Sequence, residues 1–116
     1  RQSRADPRRA IFATLRERLA AIPSVARCVA QFVPEGDLDR GYWRVRVYVE
    51  ENAPAGELQA VGTALYEAGH AYLPYLLDCD MRLARYMPAR VPAGVVVVYQ
   101  RPPRAVRDPS GGEDQA

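Results

Sequence analysis

The segment Tyr42–Glu50, Tyr-Trp-Arg-Val-Arg-Val-Tyr-Val-Glu, constrains the fold more than any other part of the chain. Side chains alternate across a β-strand. Trp43, Val45, Val47 and Val49 therefore share one face, and Tyr42, Arg44, Arg46, Tyr48 and Glu50 share the other. The apolar set requires a core to cover it. The second set is an Arg/Tyr ladder, the one place in the sequence where a binding surface can be drawn with named residues.

Helical patterns flank this strand. Asp6-Pro7 reads as a helix start, an Asp cap followed by proline at the first helical position. Ile11, Phe12, Leu15, Leu19 and Ile22 then recur at helical spacing, and Pro23 closes the run. Val25–Val33 reads as a strand, joined to Tyr42–Glu50 by a turn-rich loop from Pro34 to Gly41, which makes an antiparallel hairpin. Asn52-Ala53-Pro54 opens a second helix with Leu58, Val61, Leu65 and Ala68 as its apolar stripe, and Gly69 reads as the residue that ends it.

Beyond Tyr72-Leu73-Pro74 the period returns to two. Leu77, Cys79, Met81 and Leu83 alternate with Asp78, Asp80, Arg82 and Ala84, although residues 73–85 also admit a helix. Met87–Gly94 is a proline-bearing connection, and Val95–Gln100 reads as a strand buried on both faces or lying centrally in the sheet. The expected fold is a two-layer α+β sandwich in the order α-β-β-α-β-β, with two helices on one face of a four-stranded sheet. The expected core joins Leu15, Leu19, Trp43, Val45, Val47, Leu58, Val61 and Leu65. Residues 1–5 and 104–116 are expected to be disordered, leaving one domain over 6–103.

Composition narrows the function classes. The 16 basic residues are all Arg, most economically explained by GC-rich coding, and the net charge is only +2. A nucleic-acid module usually shows a more lopsided balance. The longest apolar run, Val95–Tyr99, is far too short to span a membrane. The chain shows no signal-peptide pattern, and with Cys28 and Cys79 read as reduced thiols the cytoplasm is the expected compartment. Because the first residue is Arg1 rather than Met, an upstream region is expected.

No catalytic or metal motif emerges, and no cofactor is expected. His70, the only histidine, follows Gly69 at a helix end, where an imidazolium interacts favourably with the helix dipole. Asp78 and Asp80 share one strand face; cross-strand ion pairs with Arg44 and Arg46 account for them better than a hard-cation site does. Cys28 and Cys79 are too few and too far apart for a metal motif. They read as buried reduced thiols, with a disulfide between adjacent strands as the minority reading. No Gly-x-Ser-x-Gly or phosphate-binding glycine loop is present.

The candidate partner-binding set is therefore Tyr42, Arg44, Arg46, Tyr48, Asp78 and Asp80. Its expected occupant is a protein partner or a second copy of the chain, with single-stranded RNA as the alternative, since RNA modules stack bases on such faces. The plain reading beside both is a solvated sheet face whose Tyr and Arg stems cover the strands. No small-molecule substrate is expected.

Leu19-Ala-Ala-Ile-Pro-Ser-Val25, Val29-Ala-Gln-Phe32, Tyr72-Leu73-Pro74, Leu77-Asp78-Cys79 and Tyr99-Gln100-Arg101 together resemble the C-terminal domain of the enhanced-serine-sensitivity (SseB-like) proteins. The likeness runs from about Arg8 to Pro102. That family typically ends in Pro-Phe-Tyr plus a basic residue, where this chain has Val97-Val98 in place of Pro-Phe. The resemblance implies an N-terminal companion domain, no enzyme activity and no cofactor. Ribosome-associated KH-like domains are similar in layout only, and the Gly-x-x-Gly backbone clamp of an RNA-binding KH module is absent.

Overall fold

In the computed structural model the described residues are 7–34, 41–71 and 76–103. The Asp6 cap, the expected disordered segments 1–5 and 104–116, most of the Pro34–Gly41 loop and Tyr72-Leu73-Pro74 lie outside them. The elements run α1 (Pro7–Ala20), β1 (Val25–Pro34), β2 (Gly41–Val49), α2 (Ala55–Ala71), β3 (Leu76–Leu83) and β4 (Val96–Gln100), with one 3-10 turn, Ala84–Tyr86, after β3. The chain is an α+β protein with two helices and a four-stranded mixed sheet ordered β3-β2-β1-β4.

Helix α1 stops three residues short of Pro23. Ala21 and Ile22 donate to Arg18 and Leu19 across three residues, which tightens the last turn, and Val25 N–H then reaches the Ile22 carbonyl over a β-turn with Pro23 in its second position. This turn is tied down from two sides. Glu57, in the first turn of α2, accepts the Ser24 backbone N–H at 3.0 Å. Arg101 donates to the Pro23 carbonyl at 3.1 Å and to Glu50 at 2.6 Å.

β1 and β2 form the antiparallel hairpin, with Cys28 opposite Val47 and Ala30 opposite Val45. Gly41 opens β2 beneath Phe32. A Cβ there would lie 2.4 Å from the Phe32 ring and 2.5 Å from the Val33 carbonyl oxygen, so only glycine fits. β3 lies parallel to β2, which makes β2-α2-β3 a crossover of the kind that is right-handed in about 98% of cases. Residues 76–83 form a strand, so the helical alternative for the region 73–85 is excluded there.

One apolar cluster holds these elements together. Leu15 and Leu19 come from α1, Ile22 from the turn after it, and Val61, Ala64, Leu65 and Ala68 from α2. They meet Val25, Cys28 and Ala30 of β1, Val45, Val47 and Val49 of β2, and Val98 of β4. Phe12 and Trp43 pack on its margin, their ring centroids 5.5 Å apart in an edge-to-face contact.

Four sequence expectations are corrected. Leu58 is exposed, because Glu57 holds the stripe position below Val61 and turns inward to Ser24. Trp43 is only partly buried. α2 runs through Gly69 to Ala71, with His70 in its last turn, exposed and stacked on Tyr66 at 5.5 Å. β4 is an edge strand rather than a central one; Val96 and Val97 are each 43% exposed, and Val98 is the valine that enters the core.

The cysteines are free. Cys28 on β1 and Cys79 on β3 flank β2. Two strand spacings of about 4.8 Å place them beyond the roughly 7 Å that a disulfide tolerates. Burial pushes the Cys28 thiol far up, and burial with the charges of Asp78 and Asp80 pushes Cys79 up to about 11. Under native conditions an alkylating reagent should therefore modify Cys79 first and reach Cys28 only on unfolding; equal rates would contradict the sheet order.

Leu65→Ala should cost on the order of 2–5 kcal/mol, from lost transfer energy and the cavity left behind. Leu58→Ala should stay within about 0.5 kcal/mol. Denaturant midpoints of the two variants check the assignment, and similar losses would refute it.

Candidate partner-binding face

The sheet face opposite the core carries the ladder. On β2 it consists of Tyr42, Arg44, Arg46 and Tyr48, each in parallel register with β3: Arg44 with Asp78, Arg46 with Asp80, and Tyr48 with Arg82. The two-residue period of each strand and the parallel register thus set cations of one strand beside anions of the other.

The two rungs differ in strength. Arg46 grips Asp80 with both arms of its guanidinium, Nε to Oδ1 at 2.9 Å and Nη2 to Oδ2 at 3.0 Å. Arg82 adds a third donor to Asp80 at 3.4 Å. A planar guanidinium matches a carboxylate in this way and fixes both side chains. Arg44 is held more loosely. Its Nη2 donates to the Tyr42 hydroxyl at 3.0 Å, its charge lies 5.8 Å from the centre of the Tyr42 ring, and its Nε stands 3.7 Å from Asp78. The Asp78 side chain is 61% exposed.

Burial works against the Asp80 carboxylate. The hydrogen bond and charge of Arg46, joined by Arg82, outweigh it and hold Asp80 below its usual 3.8. The same hydrogen bond raises Arg46, against its own desolvation and with smaller help from Tyr48.

This face is narrower than the sequence implies. β3 and β4 sit at opposite edges of the sheet, so the chain between them has to pass β2 and β1. It does so across the ladder face. Pro88, Val91, Pro92 and Val95 roof a cleft of about 140 Å³ whose floor includes Arg27, Val29, Arg44 and Arg46. Arg27 clasps the roof, donating to the Pro88 carbonyl at 3.0 Å and to Gln100 at 2.7 Å. A turn then delivers the chain to β4: Val95 N–H reaches the Pro92 carbonyl, and Gly94 has φ +84, the left-handed value a type II turn demands at its third residue.

Tyr48 lies under this connection at 6% exposure. Its inclusion in an open binding face is therefore corrected; it packs beneath the roof. Arg46 and Asp80 are half-buried, and Tyr42, Arg44 and Asp78 form the accessible end. Arg27, Val29 and Gln31 of β1 belong to the same face and were missed. The alternation Arg27, Val29, Gln31 against Cys28, Ala30, Phe32 was the available signal.

Among the described residues no group of three or more His, Cys, Asp or Glu is placed to hold a metal ion, and no helix is long and apolar enough to cross a membrane. Comparison with protein-family models, curated proteins and solved structures returned no match.

Asp80 ties stability to acid. A carboxylate held below its usual value favours the folded state above that value, and the benefit is lost as pH falls through the folded value. Asp80→Asn should therefore destabilise at neutral pH by about 1 kcal/mol. The gap from the wild type should narrow as pH drops below 3.8. Denaturant melts across the acid range measure it; a constant gap would mean that the ion pair contributes nothing.

Proposed function

We propose that the chain is a non-enzymatic protein-interaction domain, a two-layer α+β sandwich whose Arg/Tyr sheet face docks on another protein or on a second copy of itself. It works in the cytoplasm, where both thiols stay reduced, and needs no cofactor. The reading agrees with what the SseB-like resemblance implies.

The observation that carries it is the contrast within the ladder. Arg46–Asp80 is a rigid, half-buried base, and beside it Arg44 and Asp78 keep accessible charges of opposite sign with no hydrogen bond between them. A partner's charges improve on a single 3.7 Å contact at little cost, because the ladder already holds the side chains in place. The patch also suits a two-fold axis, across which Arg44 of one copy meets Asp78 of the other.

RNA stacking finds less support. Base platforms need free ring faces. Tyr48 is covered by the connection, and Arg44 leans over Tyr42.

Arg44→Glu should weaken association by about tenfold while leaving circular dichroism unchanged, since Arg44 lies outside the core. Arg46 is the wrong residue to reverse, because a Glu there would face Asp80. For a homodimer, the swap Arg44→Asp with Asp78→Arg should restore association measured by light scattering, because each copy again meets its complement. For a different protein, cross-linking from position 44 should trap it, and the swap should not rescue. A domain that neither self-associates nor cross-links from position 44 would end the proposal.

A further inference from the structure

A second surface lies on the helix side of the sheet, where α1 runs past the edge strand. Between them is a groove of about 440 Å³. Phe12, Trp43, Val96 and Val97 supply apolar surface, and Arg9 and Arg16 stand along it from α1. Among the described residues no carboxylate lines the groove. β4 pairs with β1 on one side, and among the described residues no strand pairs with the other. An edge strand with two neighbouring valines, each 43% exposed, presents unpaired backbone groups beside apolar side chains. Such an edge is a template for strand addition.

We propose that this groove takes an extended acidic peptide segment of a partner protein, added as a further strand on β4. The two arginines decide the occupant. Pairing β4 with β4 of a second copy about a two-fold axis normal to the sheet would keep both α1 helices on the same face. Arg9 and Arg16 of one copy would then approach those of the other, a like-charge contact. An acidic segment meets the same arginines with complementary charge.

The spacing narrows its sequence. Arg9 and Arg16 are separated by about 10.5 Å along a helix rising about 1.5 Å per residue. Same-face residues of a strand recur every 6–7 Å or so, so positions i and i+4 stand about 13 Å apart. Two carboxylates at those positions reach the two guanidiniums, and the residue between them on that face drops into the pocket of Phe12, Trp43 and Val96. The recognised pattern is acidic-x-apolar-x-acidic, with the backbone held by β4. This surface is separate from the ladder and does not depend on it.

Panning a random-peptide display library on the full chain tests the proposal. Selected peptides should be enriched in acidic-x-apolar-x-acidic, and a synthetic copy should shift the fluorescence of Trp43, the only tryptophan. In amide NMR spectra of the wild type it should move Val96–Gln100 and leave β3 still. Arg9→Glu with Arg16→Glu, both exposed positions, should weaken that peptide by about tenfold or more with an unchanged circular dichroism spectrum. Selection without acidic enrichment, equal binding to the charge-reversed variant, or shifts confined to β2 and β3 would each overturn it. So would a dimer in light scattering that Val96→Arg dissolves, since the edge would then belong to a second copy.

Discussion

The parallel docking of β3 on β2 is the constraint from which most of this structure follows. Parallel neighbours cannot be joined by a tight turn, so α2 has to climb over the core face between them, and its stripe Val61, Ala64, Leu65 and Ala68 closes the core on the way. With β3 on one edge and β4 on the other, the return path crosses the sheet's second face. The prolines of the 87–95 segment suit that path, since an extended connection with few backbone donors loses little when it lies against side chains instead of a strand. What looks in sequence like a free linker becomes a roof over part of the sheet.

The same constraint sets the electrostatics. Parallel register puts Arg44 and Arg46 beside Asp78 and Asp80 without any contribution from loops. The roof then grades the pairs by exposure. Arg46 and Asp80 are drawn towards the sheltered side, and geometry makes them bidentate. Arg44, partly exposed on the cleft floor, and the more exposed Asp78 keep more contact with water, where a single contact contributes little. One ladder therefore contains both a structural clamp and a reactive end.

A second clamp holds the opposite end of the sheet. Glu57 accepts from Ser24, and Arg101 reaches both Pro23 and Glu50, so the α1–β1 joint, the end of β2, the start of α2 and the exit of β4 are tied at one point. Two charged side chains, Glu57 and Arg101, satisfy backbone groups that a tight joint would otherwise leave unpaired, and Glu50 holds Arg101 in place. The arrangement explains why Glu57 rather than Leu58 faces inward, which hydrophobicity alone does not reveal.

Periodicity by itself determined the inward face of β2, the Val61, Leu65 and Ala68 part of the α2 stripe, and that Asp78 and Asp80 share one strand face as Arg44 and Arg46 share another. Each is a local property: the side-chain period follows from backbone geometry, and a buried face has to be apolar. Periodicity left residues 73–85 open between strand and helix, and the parallel docking of β3 on β2 came from the fold. Only tertiary structure decided that β4 lies at an edge, that Tyr48 is covered, and that α1 and β4 frame a groove. A run of valines reads alike in a central strand and in an edge strand, because their difference is a neighbour and not a composition. Tyr48 is polar enough to face water and apolar enough to be roofed, and residues forty positions away settle which happens. Strand order is a property of the whole chain's packing, so no local pattern encodes it.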